Sequence, residues 1–324
     1  MSAIGPKQTF ALHRICPLWD KSDIQTTLSH LCFERIRWSC AGGVNKATRG
    51  YQTCRGRGRI LAAGVRAQQS AEVRRVGVIV NVAADDPEAQ ASLAAFKQAM
   101  QQLGWSEGRN LQIDFRGAAG DPEKMQAFAK ELVALKPHVI LSRSTPVTAA
   151  LLRQTLTIPI VFTVVSDPVG ERFVDGLARP GGNATGFTNV ESTLTGKWLE
   201  LLKEVAPGVK RVAFIFNPRL APGGGSYCTR LIEGSAPSFA VTPTVLAVQG
   251  AADIERAIGE FVREPNGGLV VLPDAATLVN RKLIIELADR HGVPAIYAFR
   301  IVVTEGGLMS YGIDVVEQYR QAAG

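Results

Sequence analysis

Apolar and polar positions follow one another in a pattern that changes period many times after residue 75. Val76-Gly-Val-Ile-Val80 is a continuous, largely β-branched run, as expected of a strand buried on both faces of a parallel sheet, and it ends at Asn81. Leu93, Phe96, Met100 and Leu103 recur at helical spacing and Gly104 suits a C-cap, which predicts a helix over 89–103. Residues 111–115 alternate as a strand. Asp121 and Pro122 then open a helix to about 135, with Asp as N-cap and Pro in the first turn. A strand at 139–141, a helix at 146–154 and a strand at 158–165 complete a first series, with Pro159 marking the start or an edge of the last strand.

The series then restarts. A helix is predicted at 195–205, strands at 211–216 and 244–248, a helix at 252–262, a strand at 268–272, a helix at 281–291 and strands at 294–297 and 307–311. Repeated β-α-β units give parallel sheets with helices on both faces. Two such series predict an α/β protein of two similar doubly wound lobes, residues 73–190 and 191–302, with 303–324 as a return segment to the first. In open parallel sheets ligands bind beyond the carboxyl ends of the strands, and two lobes facing each other there make a hinged cleft.

Composition alters this picture at the N-terminus. The whole chain carries +7, but residues 1–70 hold 11 Lys/Arg against 3 Asp/Glu, leaving 25 against 26 for the rest. The body is therefore nearly neutral, which argues against nucleic acid as a partner. Residues 1–72 read as a leader, disordered or a misassigned start, with no sustained period over 1–58. A basic stretch, the short apolar run 60–65 and Val65-Arg66-Ala67 resemble a remnant of a secretory signal. Four of the five cysteines, Cys16, Cys32, Cys40 and Cys54, lie in this leader, and Cys228 is alone in the body. No Cys-x-x-Cys pair suggests a metal, and Cys228 reads as a semi-buried small residue.

Several chemistries lack their motifs. No phosphate-cradling Gly-x-x-x-x-Gly-Lys-Ser/Thr occurs, no Gly-x-Gly-x-x-Gly follows the first strand and no Gly-x-Ser-x-Gly elbow is present. Gly181–Gly186 is glycine-rich, lacks the lysine and reads as a turn. His138 and His291 sit at helix ends, and His13 and His30 lie in the leader. The expectation is no catalytic residue, no metal and no cofactor.

The strand ends instead offer groups suited to a small solute. Ser144 and Thr145 precede a helix whose first N–H groups suit a carboxylate. Asp167 or Asp274 could accept from an ammonium group. Tyr227, Tyr297 or Phe299 could cover an apolar part, and Asn81 and Asn217 close two strands. Candidate ligand-binding residues are thus Asn81, Ser144, Thr145, Asp167, Asn217, Tyr227, Asp274 and Tyr297. Each also fits an ordinary cap or turn.

Eight stretches in order carry a resemblance over about 73–324. They are Leu103-Gly-Trp-Ser-Glu-Gly-Arg-Asn110; Ile158-Pro-Ile-Val-Phe-Thr163 with Ser166-Asp-Pro-Val169; Leu177-Ala-Arg-Pro-Gly-Gly-Asn-Ala-Thr-Gly186; Lys197-Trp-Leu-Glu-Leu-Leu-Lys203; Phe216-Asn-Pro218; Pro265-Asn-Gly-Gly268; Pro294-Ala-Ile-Tyr297; and Gly306-Gly-Leu-Met-Ser-Tyr-Gly312. The set resembles the bacterial ABC-transporter substrate-binding family that includes tryptophan- and tyrosine-type receptors. That resemblance implies a type I periplasmic-binding fold, an exported monomeric receptor in the periplasm, a small solute in the interlobe cleft and delivery to ABC permease membrane subunits. It also implies that Tyr319-Arg-Gln-Ala-Ala-Gly324 stops inside the last lobe-crossing helix, so that the last elements are missing. A doubly wound enzyme and the sensor domain of a regulator are the competing functions.

Overall fold

The computed structural model describes residues 8–12, 73–189 and 193–324. The signal-like stretch and most of the leader lie outside the described residues. Elements are β1 (Gln8–Leu12), β2 (Arg74–Val80), α1 (Pro87–Gln102), β3 (Leu111–Gly117), α2 (Pro122–Ala134), β4 (Val139–Arg143), α3 (Thr145–Leu152), β5 (Ile160–Val165) and β6 (Ala184–Thr188). They continue with α4 (Leu194–Val205), β7 (Arg211–Phe216), α5 (Ser226–Ser235), β8 (Thr242–Ala247), α6 (Ala251–Phe261), β9 (Gly267–Val271), α7 (Ala275–Val279), α8 (Arg281–Arg290), β10 (Ala295–Tyr297), α9 (Arg300–Thr304), β11 (Met309–Ile313) and α10 (Val315–Gln321).

Two sheets result. The first runs β3-β2-β4-β5-β6 and is parallel throughout. The second runs β8-β7-β9-β10-β11, also parallel, with β1 added antiparallel to β11 at its edge. Strand order therefore repeats as 2-1-3-4-5 in each lobe, a doubly wound arrangement whose switch points fall between β2 and β4 and between β7 and β9. The unbroken apolar runs account for it: Val76 to Val80 are buried and Val212 to Phe216 are at most 2% exposed, as strands covered on both faces require.

Asp121-Pro122 opens its helix as the pattern predicts, and Asp86-Pro87 does the same for α1, which starts at Pro87 rather than at the expected residue 89. Asp86 Oδ1 accepts from the N–H groups of Glu88 and Ala89 at 3.0 and 3.2 Å, and Asp121 caps α2 in the same way. Both helices thus begin just beyond the carboxyl ends of strands. The edge strand β1 lies in the stretch that shows no period; its pairing with β11 supplies what its sequence pattern does not.

Residues 303–313 do not return to the first lobe. Met309–Ile313 pairs with β10 in the second sheet, and the crossing follows at Asp314. Helix α10 then packs on α1 of the first lobe. Its buried Gln318 joins two elements there: Oε1 accepts from Val164 N–H at 3.0 Å and Nε2 donates to Thr188 O at 2.8 Å. Val164 has φ 56°, unusual for a β-branched residue, where the pairing of β5 with β6 shifts register. Gln318 satisfies the N–H that this bulge turns out of the ladder. Gln318→Ala is therefore expected to cost about 2–3 kcal/mol, two buried hydrogen bonds with one N–H left unmet, in urea unfolding at unchanged m-value. A loss under about 0.5 kcal/mol would mean that the bulge is held by its strand neighbours alone.

Candidate functional site

The carboxyl ends of both sheets line one cavity. From the first lobe come Asn81 after β2, Arg143 to Pro146 at the end of β4, and Val164 and Ser166 at the end of β5. From the second come Phe216 at the end of β7, Leu272 to Ala275 after β9, Phe299 after β10, and residues of α4 and α5 including Thr195, Trp198, Tyr227 and Cys228. The cavity is about 30 Å³, room for little more than water. A wider groove of about 380 Å³ adjoins it, sharing Thr145, Pro146, Leu220 and Ala221 and adding Arg153, Glu171 and Arg219.

Five of the eight candidate residues meet here: Asn81, Ser144, Thr145, Tyr227 and Asp274. Their chemistry differs in kind. Ser144 precedes α3 with φ 90° and ψ 155°, backbone that glycine normally supplies, and its buried hydroxyl has no partner among the described residues. Pairing of Ile79 with Ser142 sets Asn81 beside Ser144 on neighbouring strand ends, and Asn81 Oδ1 is likewise buried without a partner there. Thr145 ties strands together instead: its Oγ1 accepts from Ser166 N–H at 3.1 Å.

Asp274 is a helix cap with a face to the cavity. Its Oδ1 accepts from Ala276 and Thr277 N–H at 2.7 and 3.0 Å, and its Oδ2 accepts from Asn217 N–H at 2.8 Å across the second switch point. Burial raises its pKa from 3.8 to about 6, against the pull of those three N–H groups. The same surroundings push the Cys228 thiol up to about 12, chiefly by burial and then by the charge of Asp274, so it stays a thiol at neutral pH.

The Asp274 shift has a signed consequence. The folded state binds this proton more tightly than the unfolded state, so between pH 4 and 6 stability falls as pH rises, by no more than about 3 kcal/mol, and then levels off. Asp274→Asn is expected to remove that slope from unfolding curves recorded across this range. An unchanged slope would assign it to another group.

The remaining three candidates do not line the cavity. Asn217 Oδ1 accepts from Arg219 N–H at 2.9 Å and Asp167 Oδ1 from Gly170 N–H at 3.0 Å, so both shape turns. Tyr297 is 2% exposed within the second core, and burial raises its phenol pKa. Two further lining residues outside the eight candidates, Arg143 and Trp198, are both 0% exposed. Arg143 Nη2 donates to Glu88 Oε2. Trp198 Nε1 donates to Tyr311 O at 2.7 Å.

The lobes are held together beside the cavity by Arg281 of α8. Its Nη1 meets Asp86 Oδ2 of the first lobe at 2.9 Å, while Nε and Nη2 grip Glu305 of the second, each at 2.8 Å. Gly223 N–H of the second lobe donates to Glu171 Oε1 of the first at 2.7 Å. Among the described residues, no group of three His, Cys, Asp or Glu side chains is placed to hold a metal ion, and no helix is long and apolar enough to cross a membrane.

Comparison with known proteins agrees with this geometry. The Tyrosine-binding protein of Clostridioides difficile (strain R20291) is 27% identical over 233 residues, 71% of this chain and 65% of that protein, so the chain spans just under two thirds of that relative. A conserved domain protein of Vibrio cholerae is 27% identical with a TM-score of 0.71, over 78% of this chain and 83% of that one. An ABC domain from Streptococcus pneumonia, solved in complex with L-Trp, is 21% identical with a TM-score of 0.70 over the same shares and supports the fold. A family model described as ABC transporter substrate binding protein matches residues 75–324, and the chain belongs to that family.

Proposed function

We propose that the chain is the solute-binding receptor of a bacterial ABC importer, acting in the periplasm and performing no chemistry. The observation that carries this reading is that strand ends from two doubly wound lobes converge on a single cavity. Residues 73–190 act as one lobe and residues 191–313, with β11 included, as the other, and the crossing at Asp314 serves as a hinge. Because the cavity is about 30 Å³, an amino acid or other small carboxylate enters when the lobes part and is enclosed when they close. The Arg281–Asp86 contact would re-form on closure. Asn81, Ser144, Tyr227 and Asp274 face the solute, and Thr145 holds the first-lobe wall. Membrane subunits of a permease are the partners; the near-neutral body gives nucleic acid no purchase.

The relative named for tyrosine supports an amino acid as one ligand class. A thermal-shift screen of amino acids, small carboxylates and sugars tests the proposal. At a hundred times its Kd a ligand bound only by the folded state adds about 2.7 kcal/mol. A receptor shows such stabilisation without turnover. Turnover of a solute, with stabilisation by none, would overturn the reading in favour of an enzyme.

A further inference from the structure

We infer that Arg281 is a positioning residue that latches the two lobes shut, and that it sets how firmly every solute is held without touching any of them. The inference rests on the receptor reading above and assigns its closed state to one contact. Arg281 is held first by its own lobe. Nε and Nη2 donate to the two carboxylate oxygens of Glu305, each at 2.8 Å, and Nη1 donates to Leu278 O at 3.0 Å. This two-pronged grip fixes the plane of the guanidinium. Nη1 keeps a further N–H, and it meets Asp86 Oδ2 of the first lobe at 2.9 Å.

Asp86 is fixed in the same way from the other side. Its Oδ1 accepts from Glu88 and Ala89 N–H at the start of α1, which leaves Oδ2 for Arg281. Each half of the contact is thus set within its own lobe, and joining the halves freezes little additional side-chain freedom. Both side chains are 8% exposed, so salt screens the pair only weakly. Neither residue lines the cavity or the adjoining groove.

The surroundings make this a meeting point of the lobes. A Cβ at Gly120 of the first lobe would come within 3.2 Å of Val279 Cγ2, two residues before Arg281, so the backbone there approaches α7 closely. The turn that Asp86 caps also carries Glu88, whose carboxylate accepts from Arg143 of the cavity wall. Parting the lobes gives up the Asp86 contact and leaves the rest of the grip on Arg281 intact. A latch of this kind enlarges the closed fraction and so raises affinity for every solute by one common factor.

Asp86→Asn is the discriminating variant, because asparagine still caps a helix while the charge facing Arg281 is gone. Hydrogen exchange of the solute-free full chain, followed by mass spectrometry, reads the closed fraction at a different interlobe contact, Gly223 N–H to Glu171. Exchange over residues 222–226 is expected to quicken roughly tenfold in Asp86→Asn and in Arg281→Gln, with no further gain in the double variant, while residues 76–80 and 212–216 of the two cores keep their rates. Unchanged exchange over 222–226, or an equal quickening in the cores, overturns the inference. Should Arg281→Gln not fold, Asp86→Asn alone decides. L-tyrosine, L-tryptophan and phenylacetate serve as solute probes, and each that binds is expected to leave Asp86→Asn roughly tenfold faster than the parent chain. A loss confined to one probe would mean direct contact with that solute and overturns the inference as well. Stabilisation by no solute removes the receptor reading, and exchange of the solute-free chain still decides the latch.

Discussion

Trp198→Ala is expected to lower the unfolding free energy by about 3–5 kcal/mol, a loss that could leave little of a domain's stability. Trp198 sits one turn into α4, the first helix after the chain enters the second lobe. It is 0% exposed and packed with the equally buried Leu199 and Leu202 against β9, β10 and β11. Truncation removes the largest buried side chain and leaves Tyr311 O without its 2.7 Å donor. Trp198→Phe separates the two effects: most apolar volume stays, the hydrogen bond goes, and the expected loss is about 1–2 kcal/mol. Urea unfolding of both variants checks this. If alanine cost less than about 1 kcal/mol, the second core would have to collapse around the gap. Because Trp198 also lines the cavity, the alanine variant is expected to lose affinity for aromatic solutes as well.

The strands and most helices were legible because their patterns are local. An unbroken β-branched run such as Val76 to Val80 has one comfortable home, the middle of a parallel sheet, and Asp121-Pro122 carries its own cap. Residues whose fate depends on distant partners were not legible. Arg143 closes an apolar strand and, read alone, belongs in solvent; it is buried because Glu88, 55 residues earlier, faces it. Tyr297 belongs to a three-residue strand buried on both faces, so alternation could not tell core from cleft. Asp274 shows both readings at once, capping α7 and lining the cavity. Helix α5 follows Gly223-Gly224-Gly225, whose positive φ values break any period just before it, and the strand at Gln8–Leu12 is defined by its partner β11.

Glu88→Ala is expected to destabilise the protein by about 3–5 kcal/mol, because it leaves the Arg143 charge buried with nothing to neutralise it. The attraction within the pair says little about its net worth, since both charges were desolvated to form it. Replacing both partners by apolar residues, Glu88→Leu with Arg143→Met, is therefore expected to be near neutral, and a double-mutant cycle of urea unfolding measures the difference. A loss below about 1 kcal/mol for Glu88→Ala would mean that Arg143 swings out to solvent when released.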